Sequence, residues 1–135
     1  MHIHLKRGER IYINGAVLRV DRRMSFEFLN DVNFLLENHV IQAENATTPF
    51  KQLYFVVQTM MIDPDNAGVT GELYKHLSYR LHLAVDTPAL MEALKATDEK
   101  VERGRNFEAL KLLRGIFPLE ESLLNVVQPL NVEAA

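Results

Sequence analysis

The hydrophobic period of this chain changes once, near residue 46, and that change limits what it can fold into. Before it, short runs alternate apolar and polar residues as strands do: "HIHLK", "RIYI", "AVLRV", "MSFEFL", "NFLL" and "HVIQA". Turn pairs separate several of them: Arg7-Gly8, Asn14-Gly15, Asn30-Asp31 and Glu37-Asn38. After it, the spacing is helical. Strands followed by helices predict an α+β fold, with a small N-terminal antiparallel β-sheet packed on a C-terminal bundle of about four helices. The expected division is a β-rich part over 1–46, a helical part over 47–128 and a frayed tail over 129–135. At 135 residues these are expected to form one domain, or two small lobes sharing a core.

The helical half carries its own punctuation. Thr48-Pro49 supplies a capping hydroxyl and a first-turn proline. Phe50, Leu53, Tyr54, Val57, Met60 and Met61 then share a face, and Asp63-Pro64-Asp65-Asn66 ends the helix. A second helix is predicted over Gly71 to Val85, burying Leu73, Leu77, Leu81 and Val85. Thr87-Pro88 opens a third, with Leu90, Met91, Leu94 and Val101 inward and Gly104 at its end. Asn106 is expected to cap a fourth, striped by Phe107, Leu110, Leu113 and Phe117. "PLEESLLNVV" is expected to add a short fifth.

Asn14-Gly15 fits a type I′ hairpin turn, because both central residues of that turn need positive φ. The turn then fixes the register. Ile13 faces Ala16, Tyr12 faces Val17, Ile11 faces Leu18, and Arg10 faces Arg19. Ile11, Ile13, Ala16 and Leu18 form an apolar face expected on the core. Arg10, Tyr12, Val17 and Arg19 form the other, expected outward. Like charges directly opposite cost a few tenths of a kcal/mol, up to about 1. An anion between them reverses the sign, and two guanidiniums beside a tyrosine could hold a phosphate and stack a base.

Formal net charge is -3, so the whole molecule is no polycation and a nucleic-acid site must be local. Residues 1–25 hold six basic residues, Lys6, Arg7, Arg10, Arg19, Arg22 and Arg23, against Glu9 and Asp21. Residues 26–46 hold four acidic residues and no Lys or Arg. With Tyr12, those six cations are the candidate phosphate-binding and base-stacking residues. The bland alternative is an exposed strand face of solvated arginines that guards an edge strand.

Other chemistry is thinly represented. There are no cysteines, which removes disulfides, thiolate zinc sites and cysteine nucleophiles, and suits a reducing cytosol. No secretory signal or membrane span is read, so a cytoplasmic protein without membrane contact is expected. His2 and His4 share a strand face but lack a third metal ligand. Asp63 and Asp65 lack the later spacing of a calcium loop. "GVTG", Gly68 to Gly71, reads as a flexible connection. No nucleophile–base pair, phosphate loop or paired-carboxylate signature is present, so no enzyme, cofactor or metal is expected.

Resemblance goes further. "LKRGERIYINGAVL" and "FLNDVNFLLENHVIQAENATTPFKQLYFVVQTMMIDP" resemble the FlbT family of bacterial flagellar regulators. The matching pattern is Glu9-Arg10, the hairpin, the helix entry Ala46-Thr47-Thr48-Pro49, then Tyr54, Gln58 and Met60. "GRNFEALKLLRGIF", Gly104 to Phe117, is similar to the family's C-terminal element. The resemblance implies a regulator, not an enzyme. It would associate with the 5′ untranslated region of flagellin mRNA, repress it by promoting decay, and have FlaF as its counterpart. It carries no RNA-binding residues across. The alternative is a protein-interaction module that binds FlaF, flagellin or a second copy of the chain, with any effect on mRNA indirect. The opening hairpin is also loosely similar to the carbon storage regulator family, which the helical half is not.

Overall fold

The fold is that of a computed structural model describing the backbone of residues 1–134 and the side chains of residues 1–124. Five strands precede four helices: β1 (His2–Leu5), β2 (Arg10–Ile13), β3 (Ala16–Arg19), β4 (Met24–Glu27) and β5 (Phe34–Leu36), then α1 (Pro49–Ile62), α2 (Ala67–Ala84), α3 (Pro88–Glu102) and α4 (Asn106–Ala134). The architecture is α+β as expected. The strands, however, form two small antiparallel sheets rather than one: β1 with β4, and β3-β2-β5.

The hairpin register is the predicted one. Arg10 pairs with Arg19, Ile11 with Leu18, Tyr12 with Val17, and Ile13 with Ala16. Asn14 (φ 50°) and Gly15 (φ 81°) both occupy the left-handed region that a type I′ turn requires. The expected burial of the two faces needs correction. Ile11 is buried, but Ala16 and Leu18 are exposed because β3 is an edge strand that overhangs the core. On the opposite face, Tyr12 turns toward the helices rather than solvent.

The reason is that β2 lies between two apolar clusters. Ile11 joins Ile3, Leu5 and Phe34, with Ile13 and Leu36 packed alongside. Tyr12 sits against the larger helical cluster, as does its cross-strand neighbour Leu35. Phe107, from the first turn of α4, touches both clusters and stacks on Phe34 at 4.5 Å between centroids.

α1 is the central helix. Phe50, Leu53, Tyr54, Val57, Met60 and Met61 are all buried as expected, together with Val56 and Gln58. Thr48 Oγ1 accepts from the Lys51 N–H at 3.2 Å, the predicted cap. A second device was not foreseen. Glu120 of α4 accepts from Thr48 Oγ1 at 2.5 Å and from the Phe50 N–H at 2.9 Å. Its carboxylate thus satisfies an orphan donor at the positive end of α1.

The other helices differ from expectation in detail. α2 begins at Ala67, so "GVTG" lies inside its first turns rather than in a loop. Its inward residues are Tyr74, Ser78 and Leu81, whereas Leu73 is exposed. Asp98 of α3 accepts from the hydroxyls of Tyr74 and Ser78 at 2.5 and 2.7 Å, and this polar clamp sets the rotation of α2. α3 buries Leu90, Leu94 and Thr97 but leaves Met91 exposed. It ends in a Schellman turn at Gly104 (φ 73°), where the Arg105 N–H reaches the Lys100 carbonyl at 2.8 Å.

Asn106 is the first residue of α4, not its cap. Asn33 caps that end instead, its Oδ1 accepting from the Phe107 N–H at 3.2 Å while its Nδ2 donates to the Gly104 carbonyl at 2.9 Å. The separate fifth helix is absent because α4 runs on through Pro118. Phe117 packs edge-on against Tyr54, and Glu120 binds the start of α1, so both sides of the proline are held. The frayed tail expected over 129–135 falls outside the residues whose side chains are described.

Candidate nucleic-acid interface

Six cations come from two short segments, 6–10 and 19–23, and backbone bonds bring those segments together. The β1–β2 turn bends at Gly8 (φ 86°). The Glu9 N–H donates to the Lys6 carbonyl at 3.0 Å, and Glu9 Oε1 accepts from the Lys6 N–H at 2.6 Å. The same turn is tied to the end of the hairpin, since the Gly8 N–H reaches the Val20 carbonyl at 2.8 Å and the Val20 N–H reaches the Glu9 carbonyl at 3.2 Å. Lys6 and Arg7 therefore lie beside the segment carrying Arg22 and Arg23. Arg10 and Arg19 face each other just inside this junction.

All six side chains are exposed. The acidic residues nearby are largely committed elsewhere. Glu9 serves the Lys6 N–H, and Glu37 Oε2 accepts from the backbone N–H of Arg10 at 3.2 Å. Asp21 lies 3.6 Å from Arg22, with both side chains at least 80% exposed. A pair that open to water adds little and leaves Arg22 free to turn to a ligand. Among the described residues, Lys6, Arg7, Arg10, Arg19 and Arg23 make no ion pair with a carboxylate.

Tyr12 departs from expectation. It shares a strand face with Arg10, but its ring is half-buried against the helical cluster. The ring is engaged there and offers no open stacking surface beside the guanidiniums. What the molecule presents is an end of positive charge rather than a mixed basic and aromatic face. The arrangement suits phosphates, which need cations in reach but no fixed base pocket.

The histidines of β1 are engaged singly. His2 lies 3.4 Å from Glu27, and His4 Nδ1 lies 2.6 Å from Ser25 Oγ. Among the described residues, no three metal-ligating side chains gather at one place, and no helix is long and apolar enough to cross a membrane.

A cleft that the sequence did not announce lies at the other end of the β-rich part. It measures about 590 Å³ and is lined by Asn14, Phe28, Asp31, Asn33, Arg105 and Glu108 among others. Arg105 binds Asp31 at 3.0 Å and Glu108 at 2.5 Å, and Lys100 adds a second cation to Glu108 at 2.8 Å. Hydrogen bonds from Arg105 and Lys100 hold the Glu108 carboxyl down to about 2. These charges neutralise one another, and Arg103, which also lines the cleft, pairs with Glu99 at 3.0 Å. Asp31 and Arg105 are 74 residues apart, and no local spacing signals their meeting.

The Flagellar protein FlbT family model matches residues 1–124. The chain is 49% identical over 125 residues to the probable flagellum biosynthesis repressor protein FlbT of Allorhizobium ampelinum, covering 93% of this chain and 84% of that relative. It is 47% identical over 123 residues to the protein of the same description from Chelativorans sp., covering 91% of this chain and 85% of the relative. Over 136 residues it is 46% identical to the probable flagellum biosynthesis repressor protein FlbT 2 of Bradyrhizobium diazoefficiens, with both chains covered in full. No solved structure matches it. With Glu9-Arg10 shaping the junction, Thr48-Pro49 opening α1, and Tyr54 and Gln58 within it, the chain belongs to the FlbT family of flagellar proteins.

Proposed function

We propose that this protein represses flagellum biosynthesis after transcription, in the cytoplasm, by contacting the 5′ untranslated region of flagellin mRNA and promoting its decay. The observation that carries the reading is the junction of the β1–β2 turn with the end of the β2–β3 hairpin. There Arg10 and Arg19 face each other without a carboxylate partner, and Lys6, Arg7, Arg22 and Arg23 lie in the two adjoining segments. Two like charges held opposite are unfavourable in the free protein and become favourable when a phosphate lies between them. Contact is made mainly to the backbone, so sequence preference comes from the folded shape of the leader.

A gel shift with purified protein and leader RNA tests this directly. Arg10→Glu with Arg19→Glu is expected to abolish binding in a protein that stays folded. Wild-type affinity should fall with salt, with a slope of roughly -0.7 per phosphate contacted. Unchanged binding by the double variant rules the junction out. Binding that appears only when FlaF or flagellin is added assigns the mRNA effect to a protein complex instead.

A further inference from the structure

The outward face of α2 exposes four large apolar side chains around a polar centre line. Val69 is 74% exposed, Leu73 46%, Tyr79 66% and Leu83 72%. At 100° per residue these four fall in one arc with Glu72, His76 and Arg80, on the side away from the buried stripe of Tyr74, Ser78 and Leu81. Exposed leucines occur singly on most proteins, but two apolar pairs, Val69 with Leu73 and Tyr79 with Leu83, on one helix face call for a partner.

The order of residues along that face identifies the partner. His76 sits at its midpoint, and the residues on either side are complementary by reflection. Val69 and Leu83 lie seven positions from His76 on opposite sides, Glu72 and Arg80 four, and Leu73 and Tyr79 three. Two copies of α2 laid antiparallel, with a two-fold axis at His76, therefore set Val69 against Leu83 and Glu72 against Arg80, with Leu73 and Tyr79 at the same level on opposite edges of the contact. Each contact occurs twice, as an isologous interface requires. Val69 meets Leu83, and the acid meets the base at both ends. A parallel pairing would instead oppose Glu72 to Glu72 and Arg80 to Arg80. Within one chain, Glu72 and Arg80 stand two turns apart and do not interact. Glu72 lies 3.6 Å from Lys75 in an exposed pair that leaves it free to turn outward.

We propose that this protein self-associates through α2, as an antiparallel two-fold dimer centred on His76. The inference does not rest on the proposed RNA contact, whose residues all belong to the β-rich part. One helix pair makes a small interface, below about 1,200 Å² in total, so association in the micromolar range is expected.

Sedimentation velocity over a concentration series reads the dimer, with circular dichroism confirming that each variant is folded. The wild-type protein should dimerise within the range up to about 200 μM. Glu72→Arg or Arg80→Glu alone should weaken the dimer at least about tenfold, because each sets like charges opposite at both ends. The two together should restore affinity to within about threefold of wild type. The chain has no cysteine, so His76→Cys adds a single thiol on the axis. Mild oxidation should link two such chains, while Lys95→Cys on α3 should remain monomeric under the same treatment. A wild-type protein that stays monomeric overturns the proposal. So does a double charge swap that fails to restore the dimer, or a position-76 thiol that does not crosslink.

Discussion

Gln58 pairs with Ile41 through both ends of its side-chain amide, as a neighbouring strand would. The Ile41 N–H donates to Gln58 Oε1 at 2.8 Å, and Gln58 Nε2 donates to the Ile41 carbonyl at 2.8 Å. "HVIQA" reads as a strand, yet it has no strand partner. Its middle residue is satisfied by a buried glutamine of α1. Four residues earlier, the Tyr54 hydroxyl donates to the His39 carbonyl at 2.6 Å and accepts from Arg114 at 3.0 Å. Two motif residues thus clamp the linker between the sheet and the bundle.

Removing that clamp should cost stability rather than function directly. Gln58→Leu leaves the Ile41 N–H and carbonyl without partners in a partly buried setting. A loss of about 2–3 kcal/mol is expected in a urea titration. Gln58→Glu should cost more, because it buries a carboxylate charge that the Ile41 carbonyl oxygen repels.

Glu120 caps α1 from the far end of the chain, and its substitutions should grade by what each can still accept. Glu120→Gln keeps one acceptor and should lose about 1–2 kcal/mol; Glu120→Ala should lose about 2–4. Glu121 pairs with Lys51 at 2.8 Å but is half exposed, so Glu121→Gln should change stability by less than about 1 kcal/mol. Urea midpoints for the three variants check the order.

Arg19→Thr should separate binding from folding. It removes the cross-strand repulsion with Arg10 and places a strand-favouring residue on β3. Stability should rise by about 0.2–1 kcal/mol while affinity for leader RNA falls. A protein that loses both would show that Arg19 contributes to the fold in some other way.

The hairpin tip touches the helical part. A Cβ built on Gly15 would stand 3.0 and 3.1 Å from two ring carbons of Pro64, at a φ of 81° that side chains disfavour. Gly15→Ala should therefore destabilise by about 1–3 kcal/mol, and Pro64→Ala should relieve part of that cost in the double variant.

Acid should weaken the fold in two stages. Burial, and to a smaller extent the Arg114 guanidinium, holds His39 below its ordinary 6.5. Its contribution is complete above pH 6.5 and fades as pH falls below that value, because the unfolded chain takes up the proton first. Glu108, held down to about 2 against 4.5, adds a second loss below pH 4.5. Urea midpoints should drop between about pH 7 and 5, and His39→Gln should flatten that first stage while leaving the second.

The sequence made the hairpin legible to the residue. Asn14-Gly15 dictates a turn type, and the turn type dictates which side chains face each other. It made α1 equally plain, because Thr48-Pro49 opens it and nearly every apolar position on it is buried. It misjudged burial where distant residues decide. Leu73 is as apolar as Leu77, but the Asp98 clamp on Tyr74 and Ser78 turns Leu73 outward. Strand alternation alone places Tyr12 outward, because it treats one sheet face as free. In fact β2 lies between two clusters and has no free face at that position. The loop-to-loop bonds that gather the six cations depend on Val20, which carries no signal of its own.

The bond from Thr48 to Glu120 joins residues 72 apart, and this has a consequence for synthesis. A ribosome releases the opening turn of the central helix long before it makes the carboxylate that completes that turn. The nascent chain must wait, its largest apolar surface unfinished, until the last segment emerges. Truncation upstream of that carboxylate would thus leave the middle of the molecule unsettled, and not merely shorten one end.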